Sequence, residues 1–286
     1  MPVRKTYKLY VGGAFPRSES GRSTPVTSAD GRRLAHAALA SRKDARDAVV
    51  AARAAFRPWA ARTAYLRGQI LYRVAEMMEG RRAHFVQDLL DAGGAEGTGR
   101  AEAERSVDAA VDRWVHYAGW TDKIAQVLAA GNPVAGPYDN HSSPEPTGVV
   151  AVLAPREAPL LGLVSVLAPV LAAGNTAVVV ASERAPLPAV TLAEALATAD
   201  LPAGVVNILT GRTAELAPVL AAHGDVNALD LAGAGPLAAE LESAAAATLT
   251  RVVRPDPAPD WDAPPPGLAR ITPFLETKTV WHSVGR

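Results

Sequence analysis

The sequence predicts an α/β fold, an open parallel sheet with helices on both of its faces. Three observations carry that reading. Between Gly148 and Val253 short apolar runs alternate with segments of helical period, the order that strand–helix–strand units produce. The runs are apolar throughout rather than at every second residue, which marks strands buried on both sides. Aromatic residues make up only 5% of the chain and alanine is abundant, so helices can approach a sheet closely.

The elements follow in chain order. Residues 9–34 read as a short β ribbon, with Leu9-Tyr10-Val11-Gly12-Gly13 and turn signals at Ser20-Gly21 and Asp30-Gly31. A helix is expected from Ser41, because Ala45, Val49, Ala52 and Phe56 recur on one face. A second runs from about Ala64 with Leu66, Ile70, Val74 and Met77 on its face. Gly93-Gly94 and Gly97 break the pattern, and Val107, Val111, Trp114 and Ala118 mark a third long helix. Trp114 and Trp120 read as core or interface, and Arg81-Arg82 as a solvated helix turn. These elements make up residues 1–130. Residues 131–147 are rich in Gly, Pro, Asn and Ser and keep no helical period, so they fit a loop or a β arm that leaves the domain.

The α/β rhythm occupies residues 148–254. Strands are expected at 148–154, 177–180, 205–209, 226–231 and 249–253. Pro159 suits the first position of a helix, where its missing N–H costs nothing, and Leu160, Val164, Leu167 and Leu171 give that helix its face. Gly174-Asn175 caps it. Further helices follow Pro186 and cover 213–222 and 235–247. Six prolines within 255–267 exclude both a helix and a sheet interior, so 255–269 is a linker. Residues 270–286 alternate and are rich in Thr, Val and Trp, which suits a terminal β arm.

Composition excludes several functions. The 286 residues hold 29 basic and 29 acidic side chains, a balance that argues against a nucleic-acid footprint and leaves self-association unopposed. The opening Met1-Pro-Val-Arg-Lys-Thr has no apolar run, and no stretch is long enough to span a bilayer, so a cytoplasmic protein without membrane contact is expected. Asn140-His141-Ser142 fits a glycosylation sequon, which matters only in a secreted chain. The six histidines show no metal-ligand spacing, and no Gly-x-Ser-x-Gly elbow is present. Zero cysteines exclude disulfides, thiolate metal sites and a thiol nucleophile together.

Several long motifs occur in order: Thr147-Gly-Val-Val-Ala-Val-Leu-Ala-Pro155, Leu167-Ala-Pro-Val-Leu-Ala-Ala-Gly-Asn-Thr176 and Leu201-Pro-Ala-Gly-Val-Val-Asn-Ile-Leu-Thr-Gly211. Val11-Gly-Gly, Ala51-Ala-Arg-Ala-Ala-Phe-Arg-Pro-Trp59 and Glu276-Thr-Lys-Thr-Val-Trp281 accompany them. Together they resemble the aldehyde dehydrogenase superfamily, over residues 7–254 and again 270–286. The resemblance implies a Rossmann-like sheet that binds NAD(P), with 131–147 and 270–286 as β-arm oligomerisation elements. It also implies a catalytic domain carrying a nucleophilic cysteine, in whose place 255–267 stands here.

The catalytic positions that the resemblance implies are empty. The family's oxyanion-donating asparagine falls on Glu157 in Pro155-Arg-Glu-Ala-Pro159, and an ionised carboxylate donates nothing. Its general base falls near Pro255. Its ribose-anchoring K-P-S-E reads Val180-Ala-Ser-Glu183, without the lysine but with Glu183 as an acceptor. Its phosphate loop reads Gly233-Ala-Gly-Pro-Leu-Ala238, in which Pro236 removes a donor while a helix start keeps others. A dinucleotide fingerprint over Gly233, Gly235 and Ala238, with Asp256 as its acid, is a weaker match.

The expectation is a pseudoenzyme with no catalytic residue and no metal. No resident cofactor is expected; any residual NAD(P) binding falls on Pro155, Ser182, Glu183, Gly211 and Gly233. Its partner is a full-length aldehyde dehydrogenase, the favoured case, or another copy of itself. The alternatives are an NAD(P)-sensing module and, last, an oxidoreductase with a non-cysteine mechanism.

Overall fold

The computed structural model describes residues 5–28, 30–93 and 99–285. The first four residues, Gly94 and Gly97 lie outside them. The strands are β1 Thr6–Tyr7, β2 Ser23–Thr27, β3 Arg33–Ala38, β4 Ala130–Gly131, β5 Tyr138–Pro146, β6 Val149–Leu153, β7 Thr176–Val180, β8 Val206–Leu209, β9 Ala228–Asp230, β10 Arg251–Val253 and β11 Leu275–Ser283. The helices are α1 Arg42–Ala60, α2 Ala64–Glu79, α3 Arg82–Ala92, α4 Arg100–Trp120, α5 Ile124–Leu128, α6 Leu161–Ala172, α7 Leu187–Leu196, α8 Thr213–Ala221, α9 Ala238–Ala246 and α10 Leu268–Ile271. Short 3-10 turns at Gly235–Leu237 and Thr272–Phe274 precede α9 and β11.

A five-stranded sheet in the order β10-β9-β6-β7-β8, parallel throughout, forms the centre. Every residue of β6, β7, β8 and β9 is buried, as their uninterrupted apolar runs require. Successive side chains of β6 leave on opposite faces. Val149, Ala151 and Leu153 join one apolar cluster with α1, α8 and α9; Val150 and Val152 join the other with α2, α3, α4, α6 and α7. The order in which strands are added reverses between β6 and β9, since β7 and β8 lie to one side of β6 and β9 and β10 to the other.

Local rules explain the helices. Ser41 caps α1 and exchanges hydrogen bonds with Asp44, a complete capping box. α6 is buried on all of its residues because it lies between the sheet and α4. α2 is rotated from its expected phase: Ile70, Leu71, Val74, Ala75 and Met78 are buried, while Leu66 is exposed and Met77 half-buried. Gly68 sets that rotation by lying against α4, where a Cβ would come within 2.5 Å of Thr121 Oγ1. α3 was not expected; Phe85, Val86 and Leu89 hold it to the core, and Arg82 pairs with Asp108. Among the described residues no helix is long and apolar enough to cross a membrane.

α3 also buries Asp88, whose Oδ2 accepts from Thr191 Oγ1 at 2.5 Å. Burial pushes the carboxyl up to about 6 from its ordinary 3.8; Thr191 and Lys5 oppose this, while Asp91 and Glu194 add to it. The folded chain therefore binds more protons than the unfolded one in that window, and stability falls as pH rises from about 4 to 6. The loss is on the order of 2 kcal/mol. Asp88→Asn is expected to flatten this dependence and to stabilise the chain at neutral pH, read by urea unfolding across the window.

A second, three-stranded sheet stands apart in the order β11-β5-β4, so residues 131–147 are a β arm rather than a loop. β11 pairs antiparallel with β5 from Leu275↔Pro146 to Ser283↔Tyr138. Fully buried Phe274 anchors the base of β11, and its carbonyl accepts from Asn175 Nδ2 at 2.9 Å. The expected ribbon near the start is a sheet of β1, β3 and β2, with Tyr10 bridging instead to Ile208 on the edge of the central sheet.

Candidate functional site

A cleft of about 600 Å³ opens at the carboxyl ends of β6 and β9. This is where an open α/β sheet leaves room for a ligand, because the connections on either side run away from each other. Pro155, Ser182, Glu183 and Gly233 line it, but Gly211 does not. A Cβ on Gly211 would meet Leu216 Cδ1 at 3.1 Å and Ala40 N at 3.2 Å, so that glycine lets β8 pass the segment after β3.

The four residues that reach the cleft are tied into the fold. Pro155 packs on α6, where a Cβ on Gly162 would lie 3.1 Å from the proline ring. Ser182 is buried and donates to the Arg156 carbonyl at 3.2 Å. Glu183 accepts from the N–H of Thr213, the first residue of α8, and so caps that helix where a carboxylate is favoured. Gly233 donates to the Leu153 carbonyl at 2.9 Å.

The loop after β9 has few amides left for a phosphate. Ala234 N–H goes to Leu231 O, Leu237 N–H to Ala234 O and Ala238 N–H to Gly235 O. Pro236 has none. The segment opens as a 3-10 turn before α9 begins, which tightens the backbone and turns these donors inward. The helix start that the sequence suggested as a phosphate cradle is thus largely satisfied from within. Glu157, at the expected oxyanion position, pairs with Arg184 at 2.6 Å, and both are exposed.

The proline-rich segment is a strap across the cleft rather than a free linker. Pro255, Asp256, Pro259 and Trp261 form part of the cleft wall. Arg113, buried on the inner face of α4, donates through Nη2 to Trp261 O at 2.8 Å and Ala263 O at 3.0 Å. Burial lowers its basicity, with Tyr117 and Asp262 pulling the other way. Arg270 of α10 reaches the fully buried Asp230 at the end of β9, Nη2 to Oδ2 at 2.5 Å, while Asp230 Oδ1 accepts from Ala232 N–H at 3.0 Å. Burial raises the Asp230 carboxyl, against the pull of Arg270. Sequence reasoning passed over both anchors. Their signal was present: a charge on the apolar stripe of α4 and another inside an apolar strand are expensive unless paired.

Arg251 secures the other end of the strap segment, donating to the carbonyls of Pro273 and Leu275. Trp114 lies in the core, whereas Trp120 is half-buried and donates to His116 Nε2 at 3.1 Å. Among the described residues no three His, Asp or Glu side chains converge on a point that would hold a metal.

The profile of the aldehyde dehydrogenase family matches residues 15–254. A putative aldehyde dehydrogenase of Bacillus subtilis, DhaS, is 33% identical over 254 residues, covering 87% of this chain and 50% of that protein. Aldehyde dehydrogenase family 2 member B4 of Arabidopsis thaliana, mitochondrial, is 34% identical, covering 79% and 42%. HpcC from Thermus thermophilus superimposes with a TM-score of 0.82 at 29% identity, over 87% of this chain and 47% of that one. The NAD⁺ complex of aldehyde dehydrogenase from Bacillus cereus gives 0.81 at 28%, over 87% and 50%. The chain spans about half the length of the curated relatives it matches. By profile, by sequence and by the course of its central sheet, this chain belongs to the aldehyde dehydrogenase family.

Proposed function

We propose that the chain is a non-catalytic aldehyde dehydrogenase-like subunit of the cytoplasm, a structural or regulatory partner of a full-length aldehyde dehydrogenase or of its own copies. The observation that carries this reading is the state of the cleft. Ser182, Glu183 and the amides of Gly233, Ala234 and Leu237 bond to the fold itself, and the Trp261 strap forms its wall. The sequence, without cysteine and with Glu157 at the oxyanion position, supports the same conclusion. Meanwhile, among the described residues, no strand pairs with the outer edge of β11 in the arm sheet.

The proposal includes no resident nicotinamide nucleotide, although the Bacillus cereus relative was solved with NAD⁺. Calorimetry is expected to show no heat with NAD⁺ or NADP⁺ at millimolar concentration; saturable binding would favour a nucleotide-sensing module instead. Removing residues 276–286 tests the subunit role. The cut leaves buried Ile271 and Phe274 in place, so the central domain is expected to stay folded, which circular dichroism checks. Association with a full-length aldehyde dehydrogenase or with itself is expected to be lost on gel filtration. A truncated chain that still co-elutes with its partner overturns the role of the arm.

A further inference from the structure

We infer that the open edge of β11 pairs antiparallel with β11 of a second copy of this chain, about a two-fold axis at Thr279. The inference rests on the subunit reading above and names its partner.

The direction of each peptide group follows from the arm's own ladder. The Asn140 carbonyl accepts from Asn132 N–H at 2.9 Å on the β4 side, so even-numbered residues of β5 face β4 and odd-numbered ones face β11. The register sets Glu145, Ser143, His141 and Asp139 opposite Glu276, Lys278, Val280 and His282, which therefore turn inward. Val284 N–H continues the pattern by donating to Pro137 O at 2.8 Å. Thr277, Thr279, Trp281 and Ser283 are left with N–H and C=O aimed at the open edge, and no strand pairs with it among the described residues. Leu275, at the base, has its carbonyl held by Arg251 Nη1 at 2.6 Å.

An edge of Thr, Val and Trp with free peptide groups is a template for another strand. The arm also needs company. It has three strands, one only two residues long, and Trp281 and Tyr138 meet edge-to-face with ring centres 5.8 Å apart while 58% and 47% exposed.

Complementarity selects a second β11 and its register. Thr279 is the midpoint of Leu275–Ser283, so an axis there pairs the strand over its full length. It places Thr279 opposite Thr279, Thr277 opposite Trp281 and Glu276 opposite His282, all favourable cross-strand neighbours. Other axes do worse. One at Lys278 opposes two lysines, one at Val280 sets Lys278 against His282, and one at Trp281 sets Leu275, Glu276, Thr277 and Lys278 opposite positions beyond the end of β11. One at Thr277 needs the Leu275 carbonyl that Arg251 already holds.

The full chain contains no cysteine, so a single introduced thiol reports on the axis. Thr279→Cys is expected to give a covalent dimer on mild oxidation, because residues facing each other as a hydrogen-bonded pair lie about 5.5 Å apart between Cα atoms, within disulfide reach. Thr277→Cys, which would face Trp281, is expected to remain uncrosslinked. By light scattering the unmodified chain is expected at twice 29.7 kDa. Thr279→Pro removes an N–H only from the open edge, leaving the ladder to β5 intact, and is expected at 29.7 kDa with unchanged circular dichroism. An unmodified chain that stays at 29.7 kDa alone yet co-elutes with a full-length aldehyde dehydrogenase overturns the self-pairing and leaves the subunit reading standing. One that stays at 29.7 kDa in both settings overturns both, and crosslinking at 277 in place of 279 overturns the register.

Discussion

Gly233→Ala is expected to destabilise the chain by roughly 3 kcal/mol or more, enough to unfold a large fraction of it on mild warming. An added Cβ would sit 2.0 Å from Ala154 O, 2.6 Å from Ala154 C and 2.8 Å from Leu153 O. All three are backbone atoms, so no side chain can rotate away. The ends of β6 and β9 must separate, and the hydrogen bond from Gly233 N–H to Leu153 O at 2.9 Å is strained or lost. Alanine also restricts the unfolded chain, but that offset is only about 0.4–1 kcal/mol. Gly235→Ala is the control: its φ is +53°, yet nothing lies within 4 Å of the added carbon, so the loss should be about 1 kcal/mol. Denaturant unfolding separates the two, and equal losses would mean that the close approach at Gly233 is absent in solution.

The second large effect is expected at the strap. Asp230→Ala leaves Arg270 in a site where its side chain is only 20% exposed, with no counter-charge, and removes the acceptor of Ala232 N–H. Breaking a buried pair from one side costs about 3–5 kcal/mol, most of it the penalty of the orphaned charge. Adding Arg270→Leu removes that charge and should recover a good part of the loss, a coupling of about 1–3 kcal/mol in a double-mutant cycle. The strap is expected to loosen with the single change, so limited proteolysis should cut within 255–270 faster in Asp230→Ala than in the unmodified chain. Unchanged cleavage there would mean that Arg113 alone secures the segment.

The central sheet was legible because each of its strands is an apolar run bounded by turn residues, and a parallel strand buried on both faces leaves that mark locally. The helix after Ser41 was legible because Ala45, Val49, Ala52 and Phe56 recur on one face, a local period, and the Ser41–Asp44 capping box fixes its start. The phase of α2 was not. Leu66 and Met77 share its period with Ile70 and Val74, and only the closeness of Gly68 to α4 decides which stripe turns inward. α3 was missed because charged Arg81-Arg82 and the glycines after it hide a short apolar face.

At the cleft, four of the five expected residues came together because the motif order carries the family's sheet order with it. Their hydrogen-bond partners were hidden. Ser182 meets Arg156, Glu183 meets Thr213, and Gly211 turns out to serve the passage of β8, since each partner belongs to another loop.

By itself the sequence determined the α/β class, the run of strands and helices, and the lack of any thiol. These follow from periodicity, capping and composition, which act over a few residues. The tertiary structure alone decided that the proline segment crosses the cleft, that β11 returns to β5, and that Asp230 and Arg113 hold the strap. These depend on pairs such as Arg113 with Trp261 and Glu276 with Glu145, which are far apart in sequence and close in space. Local pattern shows that a buried charge needs a partner; only the packed chain shows which one it meets.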